Sequence, residues 1–127
     1  MALAELADHV ARALPSTVAG VRAAGDPGRV VHTLAVVGGS GDEYLAQVAR
    51  AGVDAYLTAD LRHHPASEHL AVGPGAPALL DAAHWATERP WLDVLAVELR
   101  ADLRLDTIVS DVVTDVWTLR SQKEPGS

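Results

Sequence analysis

The sequence contains no cysteine and no phenylalanine. The first absence excludes disulfides, thiolate zinc sites and a cysteine nucleophile, so any metal must be held by nitrogen and oxygen ligands. The second leaves two tyrosines and three tryptophans as the whole aromatic set. Ala, Val and Leu must then fill the core, which suits closely packed α/β layers. Positive charge is also scarce: ten Lys and Arg against seventeen Asp and Glu give a net charge of −7. Such a surface neutralises no phosphate backbone, so no nucleic-acid partner is expected. Apolar runs are too short to span a bilayer, and Met1 opens no charged lead followed by an apolar core of a signal peptide. These absences predict a soluble, cytoplasmic domain without a membrane partner.

What is present is a chain of 127 residues, 49% hydrophobic. That is enough for one domain with a modest core. Residues 1–120 are read as a single α/β domain and 121–127 as a tail. Leu3, Leu6, Val10 and Leu14 fall at helical spacing before Pro15. A short, partly β-branched stretch (17–25) leads into the turn Gly25–Gly28. Residues 29–39 read as a strand, 42–52 as a helix with an acidic first turn and Gly52 as its cap, and 53–60 as a buried strand. Residues 65–73 form a short helix that Pro65 opens, 76–83 a third strand, and 87–103 a helix with Pro90 near its first turn. Residues 105–120 alternate enough to predict one or two closing strands. Strands alternating with helices predict a layered α/β sandwich with a mostly parallel central sheet, antiparallel pairing being confined to the chain ends.

Ligands in such sheets sit beyond the carboxyl ends of the strands, and three polar clusters fall there. Gly38-Gly39-Ser40-Gly41 is either an anion-binding turn made of backbone N–H groups or a tight turn needing positive φ. Asp60 precedes His63-His64 and would orient an imidazole or cap the next helix. The two histidines, placed on a loop, either face one ligand or are simply hydrated. Asp81 ends a strand, and His84 and Glu88 follow at i, i+4, on one face of a helical turn. Imidazole and carboxylate suit zinc, manganese or iron. The spacing is common by chance, and two ligands do not close a site. His9 and His32 read as solvent-facing or satisfied histidines, and His69 as a helix-end residue. Trp85, Trp91 and Trp117 read as core or interface anchors.

Taken in order, Gly38 to Gly41, Thr58 to His64 and Asp81 to Glu88 resemble the motifs of the Nif-three-like family, the GTP cyclohydrolase I type 2 homologues. The resemblance covers about residues 15 to 120 and matches the C-terminal half of that family. Ala59 stands where the family usually has glycine. It implies a Nif-three-like half-domain and a dinuclear metal centre at the carboxyl edge of the sheet, in proteins that assemble as hexamers. His84 and Glu88 would be metal ligands, His64 a catalytic proton carrier lining the pocket, and Asp60, His63 and Asp81 supporting residues. The remaining ligands would come from a missing N-terminal half. The divalent site would then be incomplete in this chain, which is expected to hold metal weakly or not at all and to be inactive alone. Two readings compete with a metal-dependent hydrolase acting on a nucleotide-like substrate. One is a non-enzymatic, ring-forming scaffold or regulatory protein with a structural metal site. The other, built on the Gly-rich turn alone, is a small nucleotide binder.

Overall fold

A computed structural model describes residues 1–122. Four strands form one sheet in the order β1-β4-β3-β2, with β1 at Val21–Ala24, β2 at Leu34–Ser40, β3 at Ala55–Ala59 and β4 at Ala78–Ala82. The pairs β2–β3 and β3–β4 are parallel, and β1 runs antiparallel to β4. Around the sheet lie α1 (Leu3–Ala13), α2 (Leu45–Ala51, entered through one 3-10 turn at Asp42–Tyr44), α3 (His63–Ala71) and α4 (His84–Leu103). This is the mostly parallel α/β sheet that the alternating pattern predicts.

The central strands are apolar on both faces, as strands covered by helices must be. Alternate residues therefore serve two cores. Ala55, Leu57, Ala78, Leu80 and Ala82 pack with Leu3, Leu6 and Val10 of α1. Tyr56 and Leu79 point the other way, into Leu45, Val48 and Leu61 beside α2 and α3. Gly52 closes α2 with φ of 68°, a left-handed cap that glycine adopts without a Cβ clash.

Four local expectations change. The strand expected over 29–39 forms only from Leu34, because the amides of His32 and Thr33 turn aside to the Asp54 carboxylate (2.8 Å each). His63 and His64 are the first two residues of α3 rather than a loop, and Pro65 is its third. A proline is tolerated there because the first four helix N–H groups have no intrahelical acceptor anyway. Helix α4 starts at His84, so Pro90 lies inside it. The closing strands over 105–120 do not form. An alternating pattern makes a strand only where a sheet edge is free to pair. Among the described residues beyond Leu105 there is no backbone–backbone hydrogen bond. Of the expected tail, 121 and 122 are irregular and 123–127 lie outside the described residues.

Candidate functional site

The site is built where β2, β3 and β4 end. Asp81 is the fourth residue of β4, and His84 is the first of α4 immediately beyond it. The helix carries Glu88 one turn on, so imidazole and carboxylate share a face. His84 Nε2 stands 3.2 Å from Glu88 Oε1. On the other side of the ring, Nδ1 is 2.6 Å from Asp60 Oδ2. All three side chains are about half exposed, and all three line a cleft of about 770 Å³, which Asp81 and Trp85 also line.

Asp60 directly follows β3 with φ of 58°, one of two non-glycine residues of positive φ among those described. A left-handed backbone costs such a residue about 1 kcal/mol, and the fold holds it there against that cost. Its carboxylate meets the His84 imidazole, and the N-cap of α3 is Arg62, not Asp60. The His84 pKa is raised from its ordinary 6.5, chiefly by the hydrogen bond to Asp60; the charges of Glu88 and Asp60 add to this, while partial desolvation opposes it.

The Gly-rich turn makes room for this arrangement. A Cβ on Gly39, whose φ is 72°, would lie 2.5 Å from Glu88 Oε1 and 3.0 Å from His84 Nε2. One on Gly41 would collide with the hydroxyls of Thr58 and Tyr56. Those hydroxyls donate to the carbonyls of Gly39 (3.0 Å, Thr58) and Gly41 (2.9 Å, Tyr56). The Gly39 N–H donates to Thr87 Oγ1 at 2.8 Å, and the Gly41 N–H donates to the Ala59 carbonyl at 3.2 Å. Two N–H groups that an anion would use thus have protein acceptors, and a carboxylate lies over the turn. A Cβ on Gly38 would lie 3.0 Å from the Thr87 carbonyl oxygen, and Ser40 is exposed at the end of β2.

The other candidates are spread more widely. Asp81 Oδ2 pairs with Arg22 at 2.6 Å, and its Oδ1 accepts the Leu61 N–H at 3.1 Å. His63 lines a second cavity of about 400 Å³ between α3 and β1. His64 is exposed, meets His63 edge-on at 5.4 Å, and lines neither cavity. His69 is buried and donates from Nε2 to the Pro77 carbonyl at 2.9 Å, a satisfied core histidine rather than a helix-end residue. Trp91 and Trp117 are exposed rather than core residues. Sequence reasoning missed Thr87 and Arg22. Neither carries a local signal, since their partners lie 48 and 59 residues away.

Two donors about 2.1 Å from one ion stand roughly 3.0 Å apart at an octahedral edge and roughly 3.4 Å apart in a tetrahedron. The 3.2 Å between His84 Nε2 and Glu88 Oε1 fits a shared divalent ion, and it also fits a protonated imidazole beside a carboxylate. No group of three or more His, Asp or Glu among the described residues is placed to hold a metal ion. The sequence profile of Duf34/NIF3 (NGG1p interacting factor 3) matches residues 1–116, the whole of this site included.

The chain belongs to the Duf34/NIF3 family.

Relatives bear this out over nearly the full chain. The "GTP cyclohydrolase 1 type 2 homolog" of Streptomyces coelicolor is 52% identical over 97% of this chain, which covers 44% of that protein. The protein of the same description from Mycobacterium tuberculosis is 52% identical over 84% of the chain and 28% of its own length. Among solved structures, Staphylococcus aureus protein SA1388 superposes with a TM-score of 0.75 at 25% identity, over 94% of this chain and 39% of that one. A Bacillus cereus protein related to NIF3 gives 0.72 at 25% identity over 94% and 33%. This NIF3-family chain thus spans less than half the length of the relatives it matches.

Proposed function

We propose that the chain contributes part of a divalent-metal site, with His84 Nε2 and Glu88 Oε1 as the donors it supplies. The observation that carries this reading is their convergence at 3.2 Å on a cleft at the strand ends, while Asp60 takes the other imidazole nitrogen. An imidazole whose Nδ1–H is held by a carboxylate presents the Nε2 lone pair, the arrangement common to histidine ligands. The remaining donors, and any second ion, belong to the rest of a longer family member. Metal identity within zinc, manganese and iron is left open by the mixed N,O donor set.

When bound, a divalent ion at such a site makes a nucleophile of water near neutral pH and polarises a substrate oxygen. The chain's own part is to aim His84, to hold Glu88 over Gly39 and to wall the cleft. His64 opens α3 beside His63 but lines neither cavity, so the expected proton-carrier role is not assigned to it. A nucleotide-like substrate is supported by the relatives' being GTP cyclohydrolase 1 type 2 homologs and by the cleft's size, with Trp85 and Trp117 in its lining. Calorimetric titration with zinc or manganese tests the assignment. One weak event is expected, lost in His84→Ala and in Glu88→Gln. Two tight sites in the isolated chain, or binding that survives both substitutions, overturns it.

A second reading has its own observation. Of the arginines that line the cleft, Arg22 is engaged by Asp81 and Arg120 donates to the Ala19 carbonyl, while Arg62 and Arg89, outside the lining, pair with Asp42 and with Asp93 and Asp111. Arg120 alone among these four has no acidic partner among the described residues, which is a single cation and not a triphosphate clamp. Meanwhile α4 and the segment after it expose Trp91, Val94, Val97, Ile108 and Val112. This favours a ring-forming, self-associating cytoplasmic scaffold with a structural metal site. Metal-dependent turnover of GTP by a full-length family member would exclude it.

A further inference from the structure

A left-handed non-glycine residue persists only where its neighbours fix it, and two carboxylates fix the residues directly after Asp60. The first is Asp81. Its Oδ1 accepts the Leu61 N–H at 3.1 Å, and its Oδ2 accepts Arg22 Nε at 2.6 Å. Arg22 Nη2 reaches the same oxygen at 2.6 Å and also donates to the Leu61 carbonyl at 3.3 Å. Both backbone groups of Leu61 are therefore held by one Arg–Asp pair, whose members face each other across β1 and β4. The second is Asp42, whose Oδ1 accepts the Arg62 N–H at 3.1 Å and whose Oδ2 accepts Arg62 Nε at 2.7 Å. Leu61 is buried, so the segment is gripped from beneath as well.

We propose that Arg22, Asp81 and the Asp42–Arg62 pair are positioning residues: by pinning Leu61 and Arg62 they hold the Asp60 backbone left-handed, and so aim the His84 imidazole with Nε2 toward the cleft. The purpose of this brace rests on the reading of His84 as a metal ligand, but its geometry does not. Arginine is needed at position 22 because three donor contacts leave one planar fork for two acceptors, which a lysine ammonium cannot reproduce. A plain cross-strand ion pair would stabilise the β1–β4 junction and leave the imidazole as it was. A brace must change the tautomer.

The test is the long-range proton–nitrogen spectrum of His84 in the ¹⁵N-labelled 127-residue chain, free of metal and at a pH where imidazole is neutral. The wild type is expected to show one tautomer, with the proton on Nδ1. Arg22→Met should shift the tautomer ratio roughly tenfold toward a mixture, with Arg22→Lys between the two. A His84 spectrum unmoved by Arg22→Met, whatever happens to the melting temperature, overturns the proposal. Should that variant fail to fold, Arg62→Met loosens the second pin and is read the same way. Zinc titration of the same samples separates the two readings. A moved tautomer without zinc uptake by the wild type supports the brace and sinks only the metal assignment. An unmoved tautomer with zinc uptake sinks the brace alone.

Discussion

Asp60 carries the imidazole of His84 at 2.6 Å, and the shape of the site depends on that contact. Asp60→Asn keeps the size of the side chain and removes its charge, so it is expected to weaken zinc or manganese binding by roughly 10–100-fold with little change in folding. Calorimetry against an unchanged circular-dichroism spectrum checks this. Gly39→Ala should act by space and strain together. The added methyl would meet Glu88 Oε1 at 2.5 Å, on a backbone with φ of 72°, and a loss of about 1–2 kcal/mol is expected in urea unfolding. Asp54 gives the pH dependence its sign. Its pKa lies below the ordinary 3.8, held there first by the His32 and Thr33 amides and then by the Thr33 hydroxyl. A depressed carboxyl adds stability that is full above its unfolded value and is lost as pH falls through the folded one. Asp54→Asn should therefore be less stable than wild type at pH 7. That deficit should shrink as pH falls below about 4, in parallel denaturant titrations.

At the scale of the elements, the sheet carries the core and residues 105–122 add no strand to it. Leu80 on β4 is fully buried between α1 and its neighbouring strands, so Leu80→Ala should cost about 2–5 kcal/mol through transfer and cavity terms. Helix α4 tolerates Pro90 because the residue is exposed and the helix is anchored on both sides of it, at buried Ala86 and Ala96. The price is one missing N–H to the Ala86 carbonyl. Beyond α4 the chain is tied down by side chains: Arg100 to the Thr107 carbonyl at 2.8 Å, and Arg120 to the Ala19 carbonyl at 3.1 Å. Amides after Leu105 should therefore exchange with solvent far faster than those of β3 and β4.

For the whole molecule, exposed apolar surface is the dominant feature. Ile108, Val116, Trp117 and Leu119 follow α4 with most of their area open, and Trp91, Val94 and Val97 recur every third residue along α4. On the proposed scaffold reading, a second copy of the chain covers these side chains. Self-association should weaken roughly 10–30-fold in Trp91→Glu, as for a central aromatic anchor. Sedimentation velocity over a concentration series measures it. No helix among the described residues is long and apolar enough to cross a membrane, so a bilayer does not account for that surface by way of a spanning helix.

Local patterning settled much of this protein before any fold was known. Helical spacing marked α1, glycine marked the end of α2, and apolar runs marked β3 and β4, because these signals act over a turn or a strand pair. The i, i+4 spacing of His84 and Glu88 likewise belongs to a single helix. Three things only the tertiary structure decided. His84 is turned by Asp60 from the loop after β3, the space for Glu88 is a missing Cβ on β2, and residues 105–120 stay unpaired despite a strand-like pattern. Each depends on what lies across a gap of many residues, where a sheet edge, a carboxylate or an empty volume either is or is not supplied, and chain-local periodicity carries no record of that.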